Sequence, residues 1–173
     1  MVVSFASALV PLLVAIANAD YLRHLYGEAL QYTPIVGQLY VWISGFAMFA
    51  FLITLAREMV KDIEDITGDR EMECRTAAIV WGEKVTKIVV SVLLIITMAL
   101  IAYLVWAVLP FPSDWKSFST RYALFGLMVP ILCAIALLWA AKTPLEYRRT
   151  QLIIKFAMFM GVMYSFVIQQ NII

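Results

Sequence analysis

The chain has 173 residues, of which 64% are hydrophobic and 14% charged, with a formal net charge of +1. A soluble domain of this length is closer to half apolar and a quarter charged, so the composition excludes an ordinary water-soluble globule and points to a polytopic membrane protein. The near-zero net charge excludes the basic footprint of a nucleic-acid binder, and Cys74 and Cys133, which lack any metal-binding or redox spacing, read as two unpaired thiols.

Residues 1–19 are uncharged. At about 1.5 Å per helical residue they are long enough to cross a hydrocarbon core of about 30 Å. Pro11 predicts a kink there. No basic segment precedes the run and no small-residue cleavage site follows it, so a cleaved signal peptide is not expected. Residues 20–37 form a polar connection containing Asp20, Arg23, His24 and Glu28, punctuated by Pro34 and Gly37. His24 has no second histidine to share a metal and reads as an interfacial polar residue.

Residues 35–56 form a second uncharged span that runs directly into the charged segment 57–75. Residues 70–87 read as a hydrophilic loop, 88–110 as the third span and 111–121 as a short loop. Residues 122–141 form the fourth span, 142–155 a basic loop, KTPLEYRRTQLIIK, and 156–173 the fifth span. With five spans, the loops after the second and fourth share one side of the membrane. That side holds ten of the thirteen lysines and arginines; the other holds only Arg23, Lys116 and Arg121. The imbalance predicts that the charged segment is cytoplasmic. Trp42, Trp106, Trp115 and Trp139 fall near span ends, where an aromatic belt is expected.

The charged segment reads REMVKDIEDITGDREMECR. Glu58, Asp62, Asp65 and Asp69 are separated by 4, 3 and 4 residues, which puts all four on one face of a helix. Neighbouring carboxylates about 5 Å apart repel by roughly 3 kcal/mol at an effective dielectric of 20. A helix end that simply reaches water usually carries one or two charges, mostly basic, so a carboxylate stripe calls for a cation. A divalent metal is the natural partner. Arg57, Lys61 and Glu64 fall on the adjacent face, where the two bases are placed to counter the acids or to hold an anion. Gly68 is expected to end the helix, leaving Asp69 one residue beyond it.

Magnesium prefers one or two carboxylates, several waters and phosphate oxygens, and adjacent bases neutralise the remaining phosphate charge. The pattern therefore suits a magnesium-bridged diphosphate. In front of an apolar bundle, that diphosphate would carry a hydrocarbon tail, as an isoprenyl diphosphate does. The metal would stabilise the departing diphosphate while an acceptor attacks the allylic cation.

The segment KDIEDITGDREMECRTAAIVWG resembles the second aspartate-rich motif of the UbiA-type intramembrane prenyltransferases. That motif is D-x-x-D-x-x-x-D with Gly before the last Asp, then a basic residue, a Thr-rich step and W/F-G before the next span. Asp62, Asp65, Gly68, Asp69, Arg70, Thr76, Trp81 and Gly82 match in order. Arg57, Glu58 and Lys61 resemble the branch of the family that prenylates geranylgeranylglycerol phosphate. The family's earlier motif, N-D-x-x-D-x-x-x-D, and its Tyr-x-x-x-Lys element have no match: the only acids before Glu58 are Asp20 and Glu28.

The resemblance implies an all-α polytopic bundle whose five spans match the last five of the family's nine. Residues 1–173 are then expected to form a partial prenyltransferase domain without its first half. Asp62, Asp65 and Asp69 would be the catalytic, magnesium-binding set, with Arg57, Lys61 and Arg70 as direct contacts for a prenyl diphosphate. Glu58 and Glu64 would orient the bases. The implied reaction is magnesium-dependent prenyl transfer to a lipid or aromatic acceptor, at the cytoplasmic face of the cytoplasmic membrane. Half of the site would come from another chain or segment, without which the chain is expected to be inactive. The rival class is a non-enzymatic membrane protein, a divalent-cation carrier or a degenerate subunit. A carrier keeps acids near mid-membrane, where charge costs roughly 2.5–3.5 kcal/mol. No Asp or Glu lies in the five apolar runs.

Overall fold

The computed structural model describes residues 35–108 and 118–172, with the isolated positions Val10, Leu13 and Ala17; side chains are described for those three and for 41–106 and 118–167. Apart from those three positions the first expected span, most of the polar connection with His24, and Trp115 lie outside the described residues. Within them every element is helical. Helix α1 spans Ile35–Glu64, α2 Ile66–Glu71, α3 Ala77–Trp81 and α4 Glu83–Tyr103, the last followed by a π-helical stretch, Leu104–Val108. Helix α5 spans Phe118–Tyr122 and leads through a second π-helical stretch, Ala123–Met128, into α6, Val129–Ala140. Helix α7 spans Pro144–Ile172. The wide turns before α6 have a local cause. Pro130 lacks an N–H, and its ring opposes the carbonyl four residues back, so the regular ladder cannot run through it.

Four stretches are long and apolar enough to cross a membrane: Val41–Glu64, Glu83–Trp106, Phe118–Ala140 and Pro144–Val167. Together they make an all-α polytopic membrane bundle, with four of the five expected spans in the described residues. Their boundaries differ from those read along the sequence. Helix α1 continues through Arg57 to Glu64, and α4 begins at Glu83, inside the expected hydrophilic loop. The expected basic loop is mostly the first turns of α7. There Thr143 precedes Pro144, and the Glu146 carboxylate accepts from the Lys142 N–H at 2.7 Å and the Thr143 N–H at 3.0 Å. This is a capping box with proline at the first helical position, and it starts the helix twelve residues before the charge-free run at Phe156.

Helix α1 packs on α4 and α7, α7 also packs on α6, and α6 closes on α4. Ile53 and Val60 of α1, Leu94 of α4, Leu138 of α6 and Ile154 of α7 form the buried seam. Large apolar side chains such as Ile95, Leu132, Phe156 and Phe159 point outward, as lipid-facing surfaces require. Close approach in such a bundle depends on small residues. A Cβ at Gly161 of α7 would collide with the Phe49 ring on α1, and one at Gly45 would lie 2.8 Å from Cδ1 of Leu104. Several polar groups towards the middle of the spans bond to one another, since lipid offers no partner. Ser119 and Tyr164 pair at 2.8 Å, and the Trp139 indole N–H donates to Ser91 Oγ at 3.0 Å. Trp139 therefore links two helices as well as facing outward.

Candidate functional site

The charged ends of α1, α4, α6 and α7 meet at one end of the bundle. Lys87 of α4 is buried and donates to the Ala141 carbonyl, at the end of α6, at 2.9 Å. It also pairs with Glu83 at 3.0 Å and lies 5.0 Å from the centre of the Tyr147 ring. The Tyr147 hydroxyl stands 2.7 Å from Glu83 Oε1 and 3.0 Å from the Ala141 carbonyl oxygen. On the other flank, the Gln151 amide of α7 donates to the Glu64 carboxylate of α1. These contacts hold the two charged connections side by side.

The helical course of α1 does not stop at the aspartates. It bends at Asp65 (φ −92°, ψ 7°) while the ladder continues, Asp65 N–H to Lys61 O at 3.0 Å and Asp69 N–H to Asp65 O at 2.9 Å. The stop expected at Gly68 is corrected: Gly68 lies inside α2, and Asp69 with it. The chain turns at Glu73, whose φ is 54°. Cys74 N–H bonds to Asp69 O at 2.9 Å and Glu73 N–H to Arg70 O at 3.3 Å, the two bonds of a Schellman ending. A non-glycine residue holds the left-handed position, so the glycine signal was absent from the place where the helix ends.

Beyond the turn, the chain folds back along α1. Thr76 opens α3, its carbonyl accepting from Ile79 N–H at 3.1 Å and Val80 N–H at 3.0 Å. This brings the Ala77 backbone N–H to the Asp62 carboxylate, which also feels the charges of Asp69 and Glu58. A cavity of about 570 Å³ opens here between α1 and α3, lined by Glu58, Lys61, Asp62, Arg75, Thr76 and Trp81 among others. The Thr76 hydroxyl is buried on its wall without a hydrogen-bond partner.

The stripe is thus divided. Asp62 and Glu58 face the α1–α3 cavity, with Asp69 near Asp62. Asp65 instead lines a second cavity of about 280 Å³ between α1 and α7, with Arg57, Lys61, Glu64, Arg148, Gln151 and Lys155. Lys61 borders both cavities, while Arg70 is exposed on α2 and lines neither. Among the described residues no three acids, histidines or cysteines converge into a ready-made metal cage. Magnesium does not require one: it takes one or two carboxylates and completes its shell with water and phosphate. The all-oxygen donors of Asp62 and its acidic neighbours, beside an open cavity, fit that demand.

Arg75, Arg148, Gln151 and Lys155 were not singled out along the sequence. Arg75 sits where the Schellman turn returns the chain. The three α7 residues were assigned to a loop, although the Thr143-Pro144-Leu145-Glu146 signature marks the start of the helix that presents them.

Fold and site together define an integral, α-helical polytopic membrane protein with two polar cavities at one end of its bundle. Its relatives narrow the class. The chain is 32% identical over 128 residues to the digeranylgeranylglyceryl phosphate synthase of Methanosphaera stadtmanae, a match covering 73% of this chain and 42% of that protein. It is 33% identical over 104 residues to the protein of that name from Methanobrevibacter smithii (47% of this chain, 37% of the relative). To that of Natronomonas pharaonis it is 35% identical over 112 residues (65% and 35%). The matches thus span less than half the length of each of these relatives. No family model and no solved structure matches the chain. The resemblance to UbiA-type prenyltransferases, read from the aspartate segment, is borne out by these relatives.

Proposed function

We propose that this chain contributes the second aspartate-rich half of a site that transfers a prenyl group from a prenyl diphosphate to a lipid acceptor at the cytoplasmic face of the membrane. The observation that carries the reading is the placement of Asp62. It faces a cavity walled by bases and a buried hydroxyl, at the membrane-surface end of the bundle, in a chain related to synthases of digeranylgeranylglyceryl phosphate.

Asp62 and Asp69 would hold magnesium; Asp65, which lines the α1–α7 cavity, would act on it only through its charge. When bound, the metal supplies positive charge against a leaving diphosphate. Arg75 and Lys61 border the same cavity and would contact phosphate oxygens directly, the Arg75 fork bidentately. The Thr76 hydroxyl, buried and unpartnered, can donate to one more. The Ala77 N–H lies against the Asp62 carboxylate, which lines the cavity. Arg57 lies on the α7 side and Arg70 on the outer face, so both are proposed as contacts of secondary weight. The apolar flanks of the α1–α3 cavity, Leu55, Met59 and Val80, suit the first carbons of a tail.

The test is magnesium-dependent binding of geranylgeranyl diphosphate to the chain in nanodiscs. Asp62→Asn should weaken it at least tenfold while leaving the magnesium-free background unchanged. Equal magnesium-dependent affinity in wild type and variant would overturn the assignment.

A further inference from the structure

Helix α3 is five residues long, too short to hold itself in place. It also lacks a side-chain cap. Thr76 stands at its N-cap with extended backbone, yet the Thr76 hydroxyl bonds to no N–H of the helix. This short helix nevertheless carries the Ala77 N–H that lies against Asp62, and Thr76 sits on the same cavity wall. Burial of Ala78 against the core holds one side of α3. The polar contacts that fix its ends come from Thr86 on α4, which does not line the cavity.

Thr86 is fully buried. Its hydroxyl donates to the Gly82 carbonyl at 2.9 Å and stands 3.4 Å from the Ala77 carbonyl oxygen. Its N–H also donates to the Gly82 carbonyl, at 3.1 Å. One side chain therefore ties the first residue of α3 to the first turn of α4. The corner between them turns at Gly82, with φ 81° and ψ 158°. That backbone region is essentially restricted to glycine, so a side chain at position 82 would reopen the corner.

We propose that Thr86 and Gly82 are positioning residues for the diphosphate site. They fix α3 so that the Ala77 N–H stays against Asp62, and they leave the Thr76 hydroxyl uncommitted and open to a ligand. This rests on the proposed role of Asp62 in magnesium-dependent diphosphate binding. Neither residue touches the ligand. A carboxylate already restrained by a neighbouring N–H loses less freedom when it takes a cation, and a wall that is already in place need not be ordered by binding.

The test has two arms, both on the chain in nanodiscs. One measures magnesium-dependent binding of geranylgeranyl diphosphate. The other measures hydrogen exchange of residues 77–81 with neither magnesium nor diphosphate present. Thr86→Val keeps the shape and removes the hydroxyl. It should speed exchange of α3 about three- to tenfold, the range that one buried hydrogen bond supplies, and weaken binding by a similar factor. Thr86→Ser restores the hydroxyl and should return both readouts to within about twofold of the wild type. Gly82→Ala should move both in the same direction as Thr86→Val. Thr97→Val is the matched control. Thr97 is equally buried, and its hydroxyl donates to the Leu93 carbonyl at 2.8 Å, the same type of bond farther along α4. That variant should change neither readout. Unchanged α3 exchange in Thr86→Val would overturn the proposal, as would unchanged binding once exchange has risen. Equal losses in Thr97→Val, or no rescue by Thr86→Ser, would reduce Thr86 to a general stabiliser and overturn it too. Absence of magnesium-dependent binding in the wild type would overturn the diphosphate reading itself, and this role with it. The exchange arm separates that outcome from a failure of Thr86 to hold α3.

Discussion

Replacing Lys87 with Met tests whether the charged end is held by one buried ammonium. Lys87 supplies a charge-assisted hydrogen bond to the Ala141 carbonyl at 2.9 Å, one of the end carbonyls of α6 that lack a helical partner. Such a bond contributes about 1.5–3 kcal/mol. The contact with the Tyr147 ring at 5.0 Å adds about 0.5–1 kcal/mol. The pairing with Glu83 adds little, about 0–1 kcal/mol, because the Glu83 side chain is 49% exposed and returns to water when its partner is lost. Met fills most of the vacated volume and carries no desolvation cost, which offsets part of the loss. The net expectation is a destabilisation of about 2 kcal/mol, with Tyr147→Phe at about 1 kcal/mol and Glu83→Gln smaller still. Equilibrium unfolding in mixed micelles, followed by circular dichroism, gives the three values on one scale. A Lys87→Met cost below about 0.5 kcal/mol, or a Glu83→Gln cost equal to or above that of Lys87→Met, would refute the argument that the ammonium–carbonyl bond dominates.

The glycines give a set of opposed expectations in the same assay. Gly161→Ala should destabilise by about 1–3 kcal/mol, because its methyl would collide with the Phe49 ring. Gly68→Ala should be neutral or stabilising by up to about 1 kcal/mol, since Gly68 lies within α2 with open space around it; a loss would restore the reading that it ends the helix. Glu73→Gly should stabilise by about 1 kcal/mol by relieving the left-handed backbone at φ 54°. For orientation, Cys74 is exposed in the charged connection and Cys133 is exposed on the apolar α6. A charged maleimide applied to inside-out vesicles should label Cys74 and spare Cys133, and labelling of Cys74 only from the opposite side would reverse the proposed topology.

Composition and the long charge-free runs were enough to settle the class of this protein, because a span must satisfy its own backbone and expose apolar side chains to lipid. The order Asp62, Asp65, Gly68, Asp69, Thr76, Trp81, Gly82 carried the family resemblance, because a motif is a property of the chain itself. The helix limits at the charged end were less legible. Lipid selects against charge, but a helix does not end where lipid ends: α1 runs eight residues past Ala56, and α7 starts at a capping box well before Phe156. Helical spacing put Asp62, Asp65 and Asp69 on one face but could not say what each faced. That was decided by which helices flank α1. The fold-back through Glu73 places α3 beside Asp62, and α7 packs on the flank carrying Arg57 and Asp65. A face some 60° wide is broad enough to be divided between two neighbours, and only packing determines where that division falls.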